Sequence, residues 1–137
     1  MAFALDGLDL TRKSTGDTSS LQYAAMVIST GDFAGGVVAT TDSNQMPHGI
    51  WQNNSTLSEW GKFRVAGVSK AMVISEDTAI IEGMHLKAST TTGYLQNSSG
   101  GVVNPRDVAI ALGSVSTGTS AVIPVFLTGG GITSTST

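Results

Sequence analysis

Two histidines, His48 and His85, are the only side chains in this 137-residue chain that titrate near neutrality by default, and no cysteine accompanies them. They stand in unrelated segments, with no His-x-His pair, no HExxH helix and no convergent acidic cluster at ligand spacing. Serines are abundant, but no G-x-S-x-G elbow presents one as a nucleophile, and a serine without a base and an orienting partner is not activated. Gly129-Gly130-Gly131 is followed by Ile132 and Thr133, not by the Lys and Ser/Thr of a phosphate-binding loop. Glu76, Asp77 and Glu82 lack the alternation of a calcium loop and read as a solvated turn. Asn53, Asn54 and Asn97 each open an Asn-x-Ser/Thr triplet, a pattern that ordinary polar turns also produce. The expectation is a protein that is not an enzyme and holds no cofactor or metal.

Recognition by contact is the remaining chemistry, and Trp51 and Trp60 are the residues best suited to it. They bracket a polar turn and are the only tryptophans. Large amphipathic rings anchor subunit contacts, stack on sugars or fill a β core, and the residues alone leave all three open. A carbohydrate- or receptor-binding β module, from a phage fibre or a secreted protein, is therefore the alternative function to carry forward.

Charge narrows the partners. Charged residues make up 12% of the chain, about half the usual ~25% of soluble domains. So sparse a supply for a solvent-facing surface points to burial against other subunits, with the apolar strand Ala121 to Leu127 as the surface to be covered. A net charge of −3 and a single basic pair, Arg12 with Lys13, are too little for duplex binding, so no nucleic-acid partner is expected. No apolar run approaches the ~20 residues of a spanning helix, and the N-terminus has no secretory h-region, so no membrane partner and synthesis in a cytoplasm are expected.

The elements that would position these residues read as β. Runs rich in Val, Ile, Ala and Thr cover Gln22 to Thr30, Gly35 to Thr41, His48 to Gln52, Lys62 to Ile74, Met84 to Lys87, Asp107 to Gly113 and Ala121 to Leu127, with a short further run at Tyr94 to Gln96. Gly, Asn, Asp and Ser clusters punctuate them. The fold class is all-β, a small sandwich or barrel-like domain over 21–128, with an extended N-terminal arm over 1–20 and a flexible Gly/Ser/Thr tail over 129–137. Gly7 and shortness weigh against a helix over residues 2–10, and Ile80, Ile81 and Gly83 against one over Asp77 to Leu86. Pro124 cannot donate to a ladder, which predicts an edge or bulge for the last strand.

The segments Gly49-Ile50-Trp51-Gln52-Asn53-Asn54, Phe63 to Ala71 (FRVAGVSKA), Ile80 to Leu86 (IIEGMHL), Val108 to Leu112 (VAIAL) and Ile123 to Leu127 (IPVFL) follow one another in an order that resembles the bacteriophage capsid cement, or head-decoration, proteins. The likeness covers roughly residues 47–127. It departs at Ile110-Ala111-Leu112, which lacks the usual preceding Gly, and is only generic over Gln22 to Thr41. The resemblance implies a homotrimer on the outer surface of a phage head, with the major capsid protein as partner. On that reading Phe3, Leu5, Leu8, Leu10, Arg12 and Lys13 are candidate capsid-binding residues, and Trp51, Trp60, Val125 and Leu127 candidate subunit-interface residues.

Overall fold

A computed structural model describes residues 7–15, 20–29, 36–53, 60–98 and 107–128. Nine strands are formed among them: β1 (Gly7–Lys13), β2 (Ala25–Ile28), β3 (Val37–Ala39), β4 (Gly49–Trp51), β5 (Trp60–Ile74), β6 (His85–Ala88), β7 (Leu95–Asn97), β8 (Ala109–Ala111) and β9 (Ser120–Leu127). Every β run expected from the sequence overlaps one of them. No helix interrupts the described residues, and Asp77 to Met84 forms turns that lead into β6.

The second half of β5 closes a five-stranded barrel. It pairs with β9 antiparallel from Gly67↔Leu127 to Ile74↔Ser120, β9 pairs with β8, β8 with β6, β6 with β7, and β7 returns to β5 through the parallel pair Val73↔Leu95. The first half of β5 belongs to a different sheet, where it lies between β1 and β4, and β4 continues to β2 and β3. That sheet curls until Ser14 bridges Val37, with the Thr15 amide donating to the Val37 carbonyl at 2.9 Å.

Two cores follow from strict alternation of side chains along shared strands. Ala25, Ile50, Ala71, Val73, Leu86 and Val125 lie in the barrel core. Their immediate neighbours Ala24, Met26, Trp51 and Met72 join Phe63 and Val37 in the other. Strands β2 and β4 are thus buried on both faces, which explains why the Ala24-Ala25-Met26 and Ile50-Trp51 runs carry no polar alternation.

Glycine makes the junction feasible. Gly67 has φ 91° and faces Gly7 on one side of β5 and Leu127 on the other. It sits where β5 passes from one sheet to the next, in a conformation that a Cβ would strain. The β1–β5 register shifts between Leu8 and Asp9, where Leu8 pairs with Ala66 and Asp9 with Arg64. The shift aims Asp9 at Arg64, whose Nε and Nη2 donate to the carboxylate at 2.7 and 3.0 Å, while Nη1 donates to the Val68 carbonyl at 2.9 Å.

The expected arm therefore needs correction. Residues 7–13 are a seven-residue strand of the β domain, not a free extension. The sequence GLDLTRK does not alternate cleanly because β1 is half-buried, and it is held by its ladder and by Arg64 instead of by a wholly apolar face. The prediction of an edge position for Pro124 also fails, since β9 is flanked by β5 and β8. The Pro124 carbonyl accepts from the Leu112 amide at 2.9 Å, so its nitrogen faces the β8 side, beyond the last pair Ala111↔Val125, where no ladder donor is required.

Two stability tests follow. A Cβ on Gly61 would stand 2.7 Å from the Trp51 ring and 2.8 Å from Asn53 Oδ1, so Gly61→Ala is expected to destabilise by about 1–3 kcal/mol in urea unfolding; an unchanged midpoint would show that the ring can yield. The Asp9 carboxyl is held below its ordinary 3.8 chiefly by its hydrogen bonds to Arg64, against the opposing effect of burial, with smaller downward pulls from the charges of Arg64 and Lys62. A lowered folded-state pKa contributes stability that is present above the unfolded value and lost as pH falls through the folded one. Asp9→Asn is therefore expected to cost about 1–3 kcal/mol at pH 7 and progressively less as pH falls below about 4, where the unfolded carboxyl protonates first and the native one only at lower pH; a deficit independent of pH would refute the ion-pair account.

Candidate docking surfaces

The segment around Trp51 and Trp60 is built by side chains that lock β4 to β5. Gln52 Nε2 donates to the buried Ser69 Oγ at 2.8 Å and to the Ile50 carbonyl at 3.1 Å. Asn53 Oδ1 accepts from the Lys62 amide at 2.6 Å, and Gln22 Nε2 reaches the Gln52 carbonyl at 3.1 Å. The Gly, Gln, Asn and Ser of the most distinctive sequence segments are thus a clasp between strands. Gly49 belongs to it as well, since a Cβ there would stand 2.4 Å from the Arg64 carbonyl oxygen.

This clasp sends the two tryptophans to opposite fates. Trp51 is fully buried against Gly61, and its indole Nε1 has no hydrogen-bond partner among the described residues. Trp60 is 64% exposed at the start of β5. The pair cannot form a common sugar platform, because one ring is inside the core. Trp51 is likewise withdrawn as a subunit-interface candidate, together with Val125 and Leu127, which are 0% and 5% exposed and point into the barrel. Burial by the chain's own strands, not by a neighbour, accounts for all three.

Trp60 keeps its candidacy and gains company. It pairs across the sheet with Lys13, and Thr11 pairs with Lys62, so both lysines share its exposed face. Arg12, opposite Gly61, is half-buried and its Nη1 donates to the Thr11 carbonyl. One residue assigned to capsid binding, Lys13, and one assigned to subunit contact, Trp60, thus lie on one wall, while Arg12 points to the other face of β1. Leu8 is 59% exposed and Leu10 half-buried on the same strand. Phe3 and Leu5 lie outside the described residues, as does the tail over 129–137.

The strand that the sequence offers as the surface to be covered, Ala121 to Leu127, is open on one side only, the outer face of β9. Val122, Pro124 and Phe126 are exposed, alternating with the buried Ile123, Val125 and Leu127. Register places Phe126 between Val68 on β5 and Ile110 on β8, and the Leu112 amide bonds to Pro124. The result is an apolar wall three strands wide whose rows carry one charge, Lys70 opposite Pro124. The parity of an apolar run was the missing signal: a strand reading IPVFL looks buried on both faces until its neighbours are known.

The histidines remain apart. His48 is exposed, and its Nδ1 accepts from the Ile28 amide at 2.9 Å. It lines a dimple of about 10 Å³ with Pro47, Ile50, Val108 and Leu127, room for roughly one water molecule. His85 Nδ1 lies 3.6 Å from Asp107 Oδ2, and the Ser98 amide donates to the His85 carbonyl. That arrangement brings a serine, a histidine and an aspartate together. The Ser98 hydroxyl, however, is buried and makes no hydrogen bond among the described residues, so the Ser–His bond that activates a nucleophile is missing. No cluster of three metal-ligating side chains occurs among the described residues.

No family model and no curated protein sequence matches the chain. Among solved structures it is similar to the crystal structure of the head fiber gp8.5 N base in bacteriophage phi29, with a TM-score of 0.61 and 12% sequence identity over 93% of this chain and 99% of that one. At that identity the likeness is one of fold, and it establishes an all-β domain of this architecture.

Proposed function

We propose that this chain is a structural protein of a phage head, bound to the outside of the assembled shell as a cement or decoration subunit. The observation that carries the reading is a whole-chain likeness of fold to the base of a phage head fibre, met by a sequence that independently resembles head-decoration proteins over residues 47–127. A subunit that binds the assembled shell and not its separate parts stabilises the shell by mass action. Repetition over symmetric positions lets weak single contacts act together. The major capsid protein is the partner, and the virion surface the place of action.

The copies form a homotrimer in this reading. The surface available for it is the outer wall of β9, with Val122 at 49% and Phe126 at 44% exposure beside Leu112 at 40%. Left bare, such a wall favours association. In this reading Phe3 and Leu5, with Leu8 and Leu10, supply contacts to the capsid.

A second reading has a specific observation behind it: this chain spans nearly all of a domain described as a fibre base. The same fold would then anchor a longer appendage to the head instead of clamping the shell.

Purified protein is expected to sediment with expanded empty heads and to elute as a trimer by light scattering, with Phe126→Asp reducing the trimer to monomer while leaving the melting temperature within a few degrees. A monomer both in solution and on heads would overturn the trimer, and failure to bind heads would overturn the function. Deleting residues 2–6, which spares β1, separates the contacts: the expected result is an intact trimer with at least about tenfold weaker head binding. Undiminished binding would remove the segment from the capsid contact.

A further inference from the structure

Trp60 and Ile81, 64% and 55% exposed, are two of the three most exposed large apolar side chains in the described structure, and each has exposed charged residues beside it. Around Trp60 are Lys13 and Lys62, both exposed, fixed on one sheet face by the pairs Lys13↔Trp60 and Thr11↔Lys62. Around Ile81 are Glu76, Asp77 and Glu82, all exposed, on the turn that follows β5. That turn is pinned from both ends. Ser75 Oγ donates to the Thr78 carbonyl at 2.8 Å, and the Ile80 and Val115 backbones exchange hydrogen bonds at 2.9 Å, so buried Ile80 holds Ile81 outward.

The two features lie at opposite ends of one strand. Trp60 opens β5 and Ile74 closes it, a path of about 45 Å at the usual ~3.3 Å per residue. Their chemistry nevertheless matches: an aromatic ring flanked by two lysines faces an aliphatic knob flanked by three carboxylates. Lys13 and Lys62 have Trp60 and Thr11 opposite them in the β1–β5 register, and Asp9, the acid on that face, is held by Arg64 and also attracted by Lys62.

We infer that the Trp60 sheet face of one copy receives the Ile81 turn of a second copy, in a head-to-tail contact distinct from the β9 wall. Such a contact is heterologous: each copy gives one surface and takes another, so it propagates from copy to copy. On a head it would link neighbouring decoration units, and in this respect it rests on the function proposed above. The contact itself depends only on the chain. Its small area and its charges make it weak and salt-sensitive, with the apolar pair at the centre and the ion pairs on the rim.

The test uses purified full-length protein in sedimentation velocity. Wild type at high concentration and 50 mM salt is expected to form species larger than its salt-resistant oligomer, and 500 mM salt to remove them. Lys13→Glu/Lys62→Glu and Glu76→Lys/Glu82→Lys should each abolish these larger species, while their equimolar mixture restores them, because the reversed face of one variant complements the reversed turn of the other, glutamates at 13 and 62 meeting lysines at 76 and 82, and the unaltered face and turn meet in the opposite pairing. Trp60→Ala should weaken association at least about tenfold without altering the trimer. Absence of salt-sensitive association in wild type, its persistence in either variant, or failure of the mixture would each overturn the inference. If Phe126→Asp dissociates the trimer while these variants change nothing, the pole contact falls and the proposed function stands.

Discussion

Everything in this molecule depends on β5 being shared. One strand of fifteen residues supplies a wall to the curled β1–β4 sheet with its first half and a wall to the five-stranded barrel with its second. Backbone amides cannot be left unpaired in a buried strand, so β5 needs a new set of neighbours where the old ones end. The change occurs at Gly67, where Gly7 ends one ladder and Leu127 begins another. The surfaces described above are consequences of that handover. Trp60 and its lysines mark one end of the strand, the acidic turn the other, and the β9 wall faces outward from the half between.

Packing has the same origin. Strands buried on both faces must place side chains alternately in two cores, so the Ala24-Ala25-Met26 and Ile50-Trp51 segments serve both. Small residues on this dividing layer let the two cores approach. Gly49 and Gly61 act similarly beside Phe63 and Trp51, where a single added carbon finds backbone or ring atoms within 3 Å. Such contacts transmit a change on one side of the layer to the other, because close-packed interiors do not absorb volume locally.

Much of the architecture was legible in the residues. The β-branched runs and their Gly, Asn and Asp punctuation located eight of the nine strands, because local propensity and turn chemistry agreed there. β1 was not legible: GLDLTRK is charged and only half-buried, and its partner lies more than fifty residues away at Arg64. Pro124 misled for a related reason, since its position is set by where β8 stops and not by anything within β9. The surfaces were harder still. Trp51 and Trp60 are the same residue type nine positions apart, and only the Asn53–Lys62 and Gln52–Ser69 bonds decide which one turns inward.

The pairing of β5 with β9 also fixes an order of events at the ribosome. Lys70 meets Pro124 only after more than fifty further residues have been made, and closing so long a loop must come before its contacts repay the entropy. The β1–β4 sheet has all of its strands available once β5 has emerged, whereas the barrel waits for the last strand of the chain. During that interval the second half of β5 carries Ala71 and Val73 without their barrel partners, a transiently open edge of the kind that invites pairing with another nascent copy. The chain is therefore most vulnerable to mispairing between copies in the interval before β9 is made.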